Sequence, residues 1–257
     1  MKTHSIYKAI LGLVCGVGFL CAQIPVAKQP QPKSQKEIEA LMAMFNAQDP
    51  DSRIKAANEL ILKFADTEFK AIALQIAAMS YREKNDAENM IIFAEKTLEA
   101  DPKNYDSMLM IAKAVAQRTR EFDLDKEEKL GRAEKLAKQA EELAKVAPKP
   151  RPDITDDQWE QVRGDAIAEA HETLGMVAIA RKQPDAAINA FQLAIEKASQ
   201  QDPTLYFRLG AAYNLAGKHD LAISMLDKLN GLDNVHPQIQ QLAEEERKKA
   251  MAAKAGQ

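Results

Sequence analysis

Residues 171–237 read HETLGMVAIARKQPDAAINAFQLAIEKASQQDPTLYFRLGAAYNLAGKHDLAISMLDKLNGLDNVHP. Two copies of one pattern lie in this stretch. The first is His171-x-x-Leu174-Gly175, followed by Ala187-x-x-x-Phe191 and Ala194. The second is Tyr206-x-x-Leu209-Gly210-x-x-Tyr213, followed by Ala222-x-x-x-Leu226. Leu174 and Leu209 are 35 residues apart, as are Ala187 and Ala222. A fixed period of that length means stacked supersecondary units, each burying its apolar face on its neighbours, rather than one closed core.

Outward from this stretch, the whole chain reads as helix pairs. Composition agrees: 46% of the 257 residues are hydrophobic but only 5% are aromatic, an Ala- and Leu-rich balance that suits helices over strands. Upstream, Ile38, Leu41, Met42 and Phe45 keep a helical spacing, Asp49-Pro50 breaks it, and Ile54, Ala57, Leu60 and Ile61 restart it. Leu74, Ala77, Ala78 and Tyr81 begin a clearer pair with its turn at Asn85-Asp86 and its end at Asp101-Pro102. Tyr105 to Gln117 gives another first helix, and an irregular piece runs from Arg118 to Asp125. Lys126 to Val146 is then too long for the repeat, and its alanines step by three and four. The prolines of APKPRPD, residues 147–153, end that helix. Thr155 and Gln158 carry a capping-box signature for a second over-long helix to about Arg181. Two such helices predict an antiparallel hairpin projecting beyond the stack.

The expected fold is therefore all-α: a solenoid of antiparallel helix pairs at 35–66, 70–102, 105–147, 156–201 and 203–235, within a repeat domain of residues 35–257. A last helix, 237–253, with Glu244–Lys248 and Glu245–Lys249 spacing on its polar face, is expected to cap the final apolar surface.

The first 22 residues have the layout of a secretory signal peptide: a short basic start with Lys2 and Lys8, an apolar run AILGLVCGVGFLCA at 9–22, then Gln23-Ile24-Pro25. Cleavage is expected between Ala22 and Gln23. The 14-residue run is short of the roughly 20 a spanning helix needs, and the alternative is its retention as an inner-membrane signal anchor. Neither Cys15 nor Cys21 is preceded by the small residue of a lipoprotein signal. Export to the periplasm or the extracellular space is the expected location. Residues 23–34, with three prolines, read as a disordered spacer. Net charge is −3, or 33 basic against 38 acidic residues without the first 22, and no long basic run offers nucleic acid a footprint. No cysteine lies beyond Cys21, so the body of the protein holds no disulfide or cysteine nucleophile.

The quoted residues resemble the tetratricopeptide repeat, exported bacterial type: an aromatic, Leu-Gly, Tyr, then Ala, an aromatic, Ala and a closing Pro. The unit at Ala71 keeps Tyr81, the Asn85-Asp86 turn and Asp101-Pro102, but has Ala77-Ala78 for Leu-Gly. The resemblance implies a non-enzymatic adaptor that binds an unidentified protein or peptide in a concave groove lined by the first helix of each pair. The matching positions are Gln75, Met79 and Arg82; Leu109 and Lys113; Glu172, Met176 and Ile179; and Phe207, Ala211 and Asn214. The Lys/Asn/Arg set by which some family members clasp a C-terminal carboxylate is incomplete. Met79, Met108, Met110 and Met176 read either as an adaptable surface or as filling of the Ala-rich core.

Chemistry finds no support in the residues. His171-Glu172 and His219-Asp220 are adjacent on helices and point to different sides, and the histidines lack ligand spacing. No catalytic, cofactor or metal site is expected. Trp159, the one tryptophan, reads either as a partner anchor or as packing on Leu143 and Val146 inside the hairpin. The alternative to an adaptor is a self-assembling structural module.

Overall fold

A computed structural model of the chain describes residues 30–256 apart from Pro152 and Asn234. The expected signal segment, both cysteines, the Ala22–Gln23 junction and residues 23–29 lie outside the described residues.

Among the described residues the fold is all-helical: α1 (Gln35–Asn46), α2 (Pro50–Lys63), α3 (Lys70–Glu83), α4 (Ala87–Ala100), α5 (Tyr105–Arg118), α6 (Lys126–Val146), α7 (Asp156–Ala180), α8 (Pro184–Lys197), α9 (Pro203–Leu215), α10 (His219–Asn230) and α11 (Pro237–Ala255). Each helix packs on its successor, and α5 also meets α7 while α9 meets α11. The result is five antiparallel pairs in a row, closed by α11. The core is correspondingly a chain of clusters. Leu41, Met44, Ile54 and Leu60 fill the α1–α3 end. Met90, Ala94 and Ile111 fill the next layer. Phe191, Leu209 and Tyr213 belong to the largest, and Leu226, Leu229 and Ala243 to the last.

Local chemistry sets the boundaries. Ser34, Asp49, Asp86, Asn104, Thr155 and Asp202 each accept a backbone N–H at the start of the helix they precede, and Pro50, Pro184, Pro203 and Pro237 occupy first helical positions, where their missing N–H costs nothing. Thr155 and Gln158 form the reciprocal capping box. Three pairs share one turn. Asn85, Lys182 and Gly217 take left-handed backbone conformations, with φ of 57°, 59° and 71°. The following N–H groups, of Asp86, Gln183 and Lys218, donate to the carbonyls of Tyr81, Ala178 and Tyr213. This Schellman arrangement satisfies carbonyls that the helix end leaves open.

The two repeat glycines mark close helix crossings. A Cβ on Gly175 would lie 2.4 Å from the Phe191 ring, and one on Gly210 would lie 2.7 Å from Leu226 Cγ. Each glycine thus lets the second helix of its own pair seat a large side chain against backbone.

The long helices α6 and α7 run side by side. Leu130, Ala133, Ala137, Ala140 and Ala144 are all fully buried along α6. A Cβ on Gly164 would lie 2.8 Å from the Lys197 carbonyl oxygen at the end of α8, so the part of α7 before Gly164 extends past its partner helix. The tip is pinned by the Trp159 indole N–H, which donates to the Ala147 carbonyl at 3.0 Å, and by Arg163, which donates to the Lys145 carbonyl. Trp159, half-buried, thus satisfies a carbonyl at the end of α6, next to Val146, which is exposed. The last residues of the expected spacer are also held in place. The Lys33 ammonium contacts Asp66 at 2.7 Å, and the Lys33 N–H donates to buried Glu37, which also accepts from Thr67.

Candidate functional site

The first helices α3, α5, α7 and α9 carry the groove positions. Their first feature is a row of charge across three helices. Lys113 on α5 meets Glu172 on α7 at 2.8 Å and Glu169 at 3.6 Å, and Arg208 on α9 meets the other Glu172 oxygen at 3.1 Å. Glu172 is only 5% exposed, so its two cations replace the water it has lost. Burial acts to lower the Lys113 pKa, but Glu172 and Glu169 outweigh it and the net shift is upward. The ammonium stays charged and the row is a fixed brace.

Two hollows flank this brace. One, of about 440 Å³, is lined by Arg82, Met90, Met110, Lys113 and Gln117. The other, of about 510 Å³, has Met176, Ile179, Phe207, Ala211 and Leu215 as its apolar wall, with Arg208 and Gln117 at its edge. Gln117 lines both. Arg82 makes no ion pair among the described residues, although a cation in the last turn of α3 also suits the helix dipole.

The structure thus brings together Arg82 and Lys113 in one hollow, and Met176, Ile179, Phe207 and Ala211 in the other. Four expected groove residues are spent elsewhere. Leu109 is 2% exposed and packs with Ala140, Ala144 and Ala166, because α5 is enclosed by α6 and α7. Glu172 is buried in the brace. Asn214 donates to the Glu246 carbonyl and carboxylate at 2.9 and 3.0 Å and faces His219, so α11 already occupies it. Gln75 spans the α3–α5 gap, donating to Asp106 and accepting from Asn104. Burial, as the largest cause, raises the Asp106 pKa. Met79 is exposed but lines neither hollow, whereas Met108, Met110 and Met176 are buried and serve the core reading of the methionines. Gln117, Arg208 and Leu215 are neighbours that the repeat register did not single out; the opposite charges at 113, 172 and 208 were the available signal.

The adjacent acid–histidine pairs separate as helix geometry requires. His171 Nε2 lies 3.3 Å from Glu141 on α6, away from Glu172. Among the described residues no group of three His, Cys, Asp or Glu is placed to hold a metal, and no helix is long and apolar enough to cross a membrane.

The tetratricopeptide repeat family model matches residues 71–104, the α3–α4 unit with Ala77-Ala78 at the Leu-Gly position. No curated protein sequence matches the chain. Among solved structures, a thermophilic tetratricopeptide-repeat protein of Thermus thermophilus superposes with a TM-score of 0.54 at 14% identity, over 82% of this chain and 95% of that one. The MamA protein superposes with a TM-score of 0.52 at 16% identity, over 85% and 95%. At these identities the likeness concerns the fold, which generally serves as a non-catalytic protein–protein interaction scaffold. Residues 71–104 thus match the tetratricopeptide repeat, and the described residues have a fold similar to that of tetratricopeptide-repeat proteins.

Proposed function

We propose that the protein is a non-enzymatic adaptor whose concave face, along α5, α7 and α9, holds a peptide or helix of a partner protein. The observation that carries this reading is the apolar hollow walled by Met176, Ile179, Phe207 and Ala211 beside Arg208. A ligand with an apolar anchor fills it, and an acidic group of the same ligand meets Arg82 in the adjoining hollow. The brace below supplies rigidity, which lowers the ordering cost of binding.

A photoreactive residue in place of Ile179 or Ala211 tests this in cells. It crosslinks a discrete partner, and the same residue at exposed Lys138 does not. Phe207→Asp abolishes the crosslink and weakens binding of the captured partner by at least about thirtyfold, the loss of one hot-spot side chain. Equal crosslinking from Lys138, or capture undiminished by Phe207→Asp, overturns the reading.

We further propose, on the N-terminal layout alone, that the adaptor works in the bacterial cell envelope after export. The intact mass of the protein recovered from cells tests this: a chain beginning at Gln23 supports cleavage, and one that retains Met1 and fractionates with cytosol contradicts export.

A further inference from the structure

The α5–α6 connection departs from its counterparts. The turns at Asn85, Lys182 and Gly217 join their helices tightly, whereas Thr119–Asp125 inserts a longer loop. This loop is held in place. The Arg120 N–H donates to the Asp123 carboxylate, Asp123 and Lys126 add backbone bonds, and Lys129 pairs with Asp123 and Asp125 at 3.0 and 2.9 Å. Glu121 is paired with both Lys126 and Lys182 at 2.8 Å. Yet this fixed loop offers Phe122 and Leu124 to solvent, 93% and 107% exposed. Large apolar side chains so displayed on an ordered loop mark a contact surface.

The same loop forms one wall of a cleft of about 790 Å³. Ile91, Ile92 and Val115 supply its apolar part, and Ile92 is 40% exposed. Arg118 and Arg120 on the rim make no ion pair among the described residues; Glu88 is the acid there. The segment Glu121-Phe122-Asp123-Leu124-Asp125 is acidic and apolar by turns. Its acids are held by Lys126, Lys129 and Lys182 of the same molecule, and its apolar side chains match the apolar part of the cleft beside it. Donor and acceptor thus lie on one edge of one molecule, the condition for a two-fold contact in which each copy gives and receives.

We propose that this edge is a homodimer interface in which Phe122 and Leu124 of each copy enter the Ile91–Ile92–Val115 cleft of its partner copy. Because the loop is already ordered, little conformational freedom is lost on association.

Sedimentation of the purified protein across a wide concentration range tests this. The wild type shows a reversible monomer–dimer equilibrium. Phe122→Ser with Leu124→Ser removes the donor, and Ile92→Arg blocks the acceptor; each raises the dissociation constant at least about tenfold. All three residues face solvent, and unchanged circular dichroism and melting confirm that the variants fold. Mixing the two variants restores one loop-in-cleft contact, so a heterodimer forms where neither variant dimerises alone. A strictly monomeric wild type, a dimer indifferent to these changes, no heterodimer on mixing, or vesicle binding through Phe122 without self-association would each overturn it.

Discussion

Lys182 stands where its counterparts are Asn85 and Gly217, and its backbone is left-handed. A non-glycine residue there costs about 1–2 kcal/mol, whereas glycine costs about 0.5–1 kcal/mol in chain entropy. Its ion pair with Glu121 is exposed and contributes little. Lys182→Gly is therefore expected to stabilise the fold by about 0.5–1 kcal/mol, read as a melting temperature higher by a few degrees. Gly175→Ala runs the other way. Alanine favours a helix by about 1 kcal/mol, but overpacking against the Phe191 ring costs about 1–3 kcal/mol. Thermal melting should show a net loss, larger than for Gly210→Ala, where a flexible Leu226 can yield. Both glycines were legible as repeat residues. Lys182 was not, because nothing in its type announces a left-handed turn; only the 35-residue offset to Gly217 does.

Among elements, α5 explains why part of the groove could not be read. Ser107 through Ala112 are buried without interruption, since α6 and α7 are long enough to enclose it on several sides. Leu109 and Glu172 were placed on an outward register that this extra packing covers. The Glu172 brace follows from the same closeness. Lys113→Met leaves a buried carboxylate with Arg208 alone and should destabilise by about 1–3 kcal/mol in chemical denaturation. Lys113 is thus a poor probe of ligand binding, and Phe207→Asp needs a melting control because Phe207 also packs on Leu226 and Leu229. In the α5–α6 loop, Lys126 and Lys182 hold the Glu121 carboxyl down at about 2. Its folded pKa lies below the unfolded value of 4.5, so its stabilisation is present above pH 4.5 and is lost as pH falls toward 2. Glu121→Gln should flatten the acid limb of the stability curve measured by denaturation between those values, and more so at low salt because the group is exposed.

At the scale of the whole molecule, the period, the pair boundaries and the closing helix were legible, since each rests on short-range spacing and capping. The hollows were not, because they arise between helices about one or two periods apart. Deleting residues 237–257 removes Ala243 from its place against Leu226 and Leu229, both fully buried, and should lower the melting temperature and the solubility together. Among the described residues, α1–α2 and α9–α11 are joined mainly through successive helices, with α5–α7 and α9–α11 as the further contacts. Native-state hydrogen exchange, resolved helix by helix, tests that arrangement most directly. Protection should be graded, highest in α5–α9, which hold most of the largest cluster and have packed neighbours on both sides, and lowest in the terminal helices α1 and α11, with opening free energies that differ between ends. A single opening free energy shared by every helix would contradict the linear stack, and with it the open face on which the proposed binding depends.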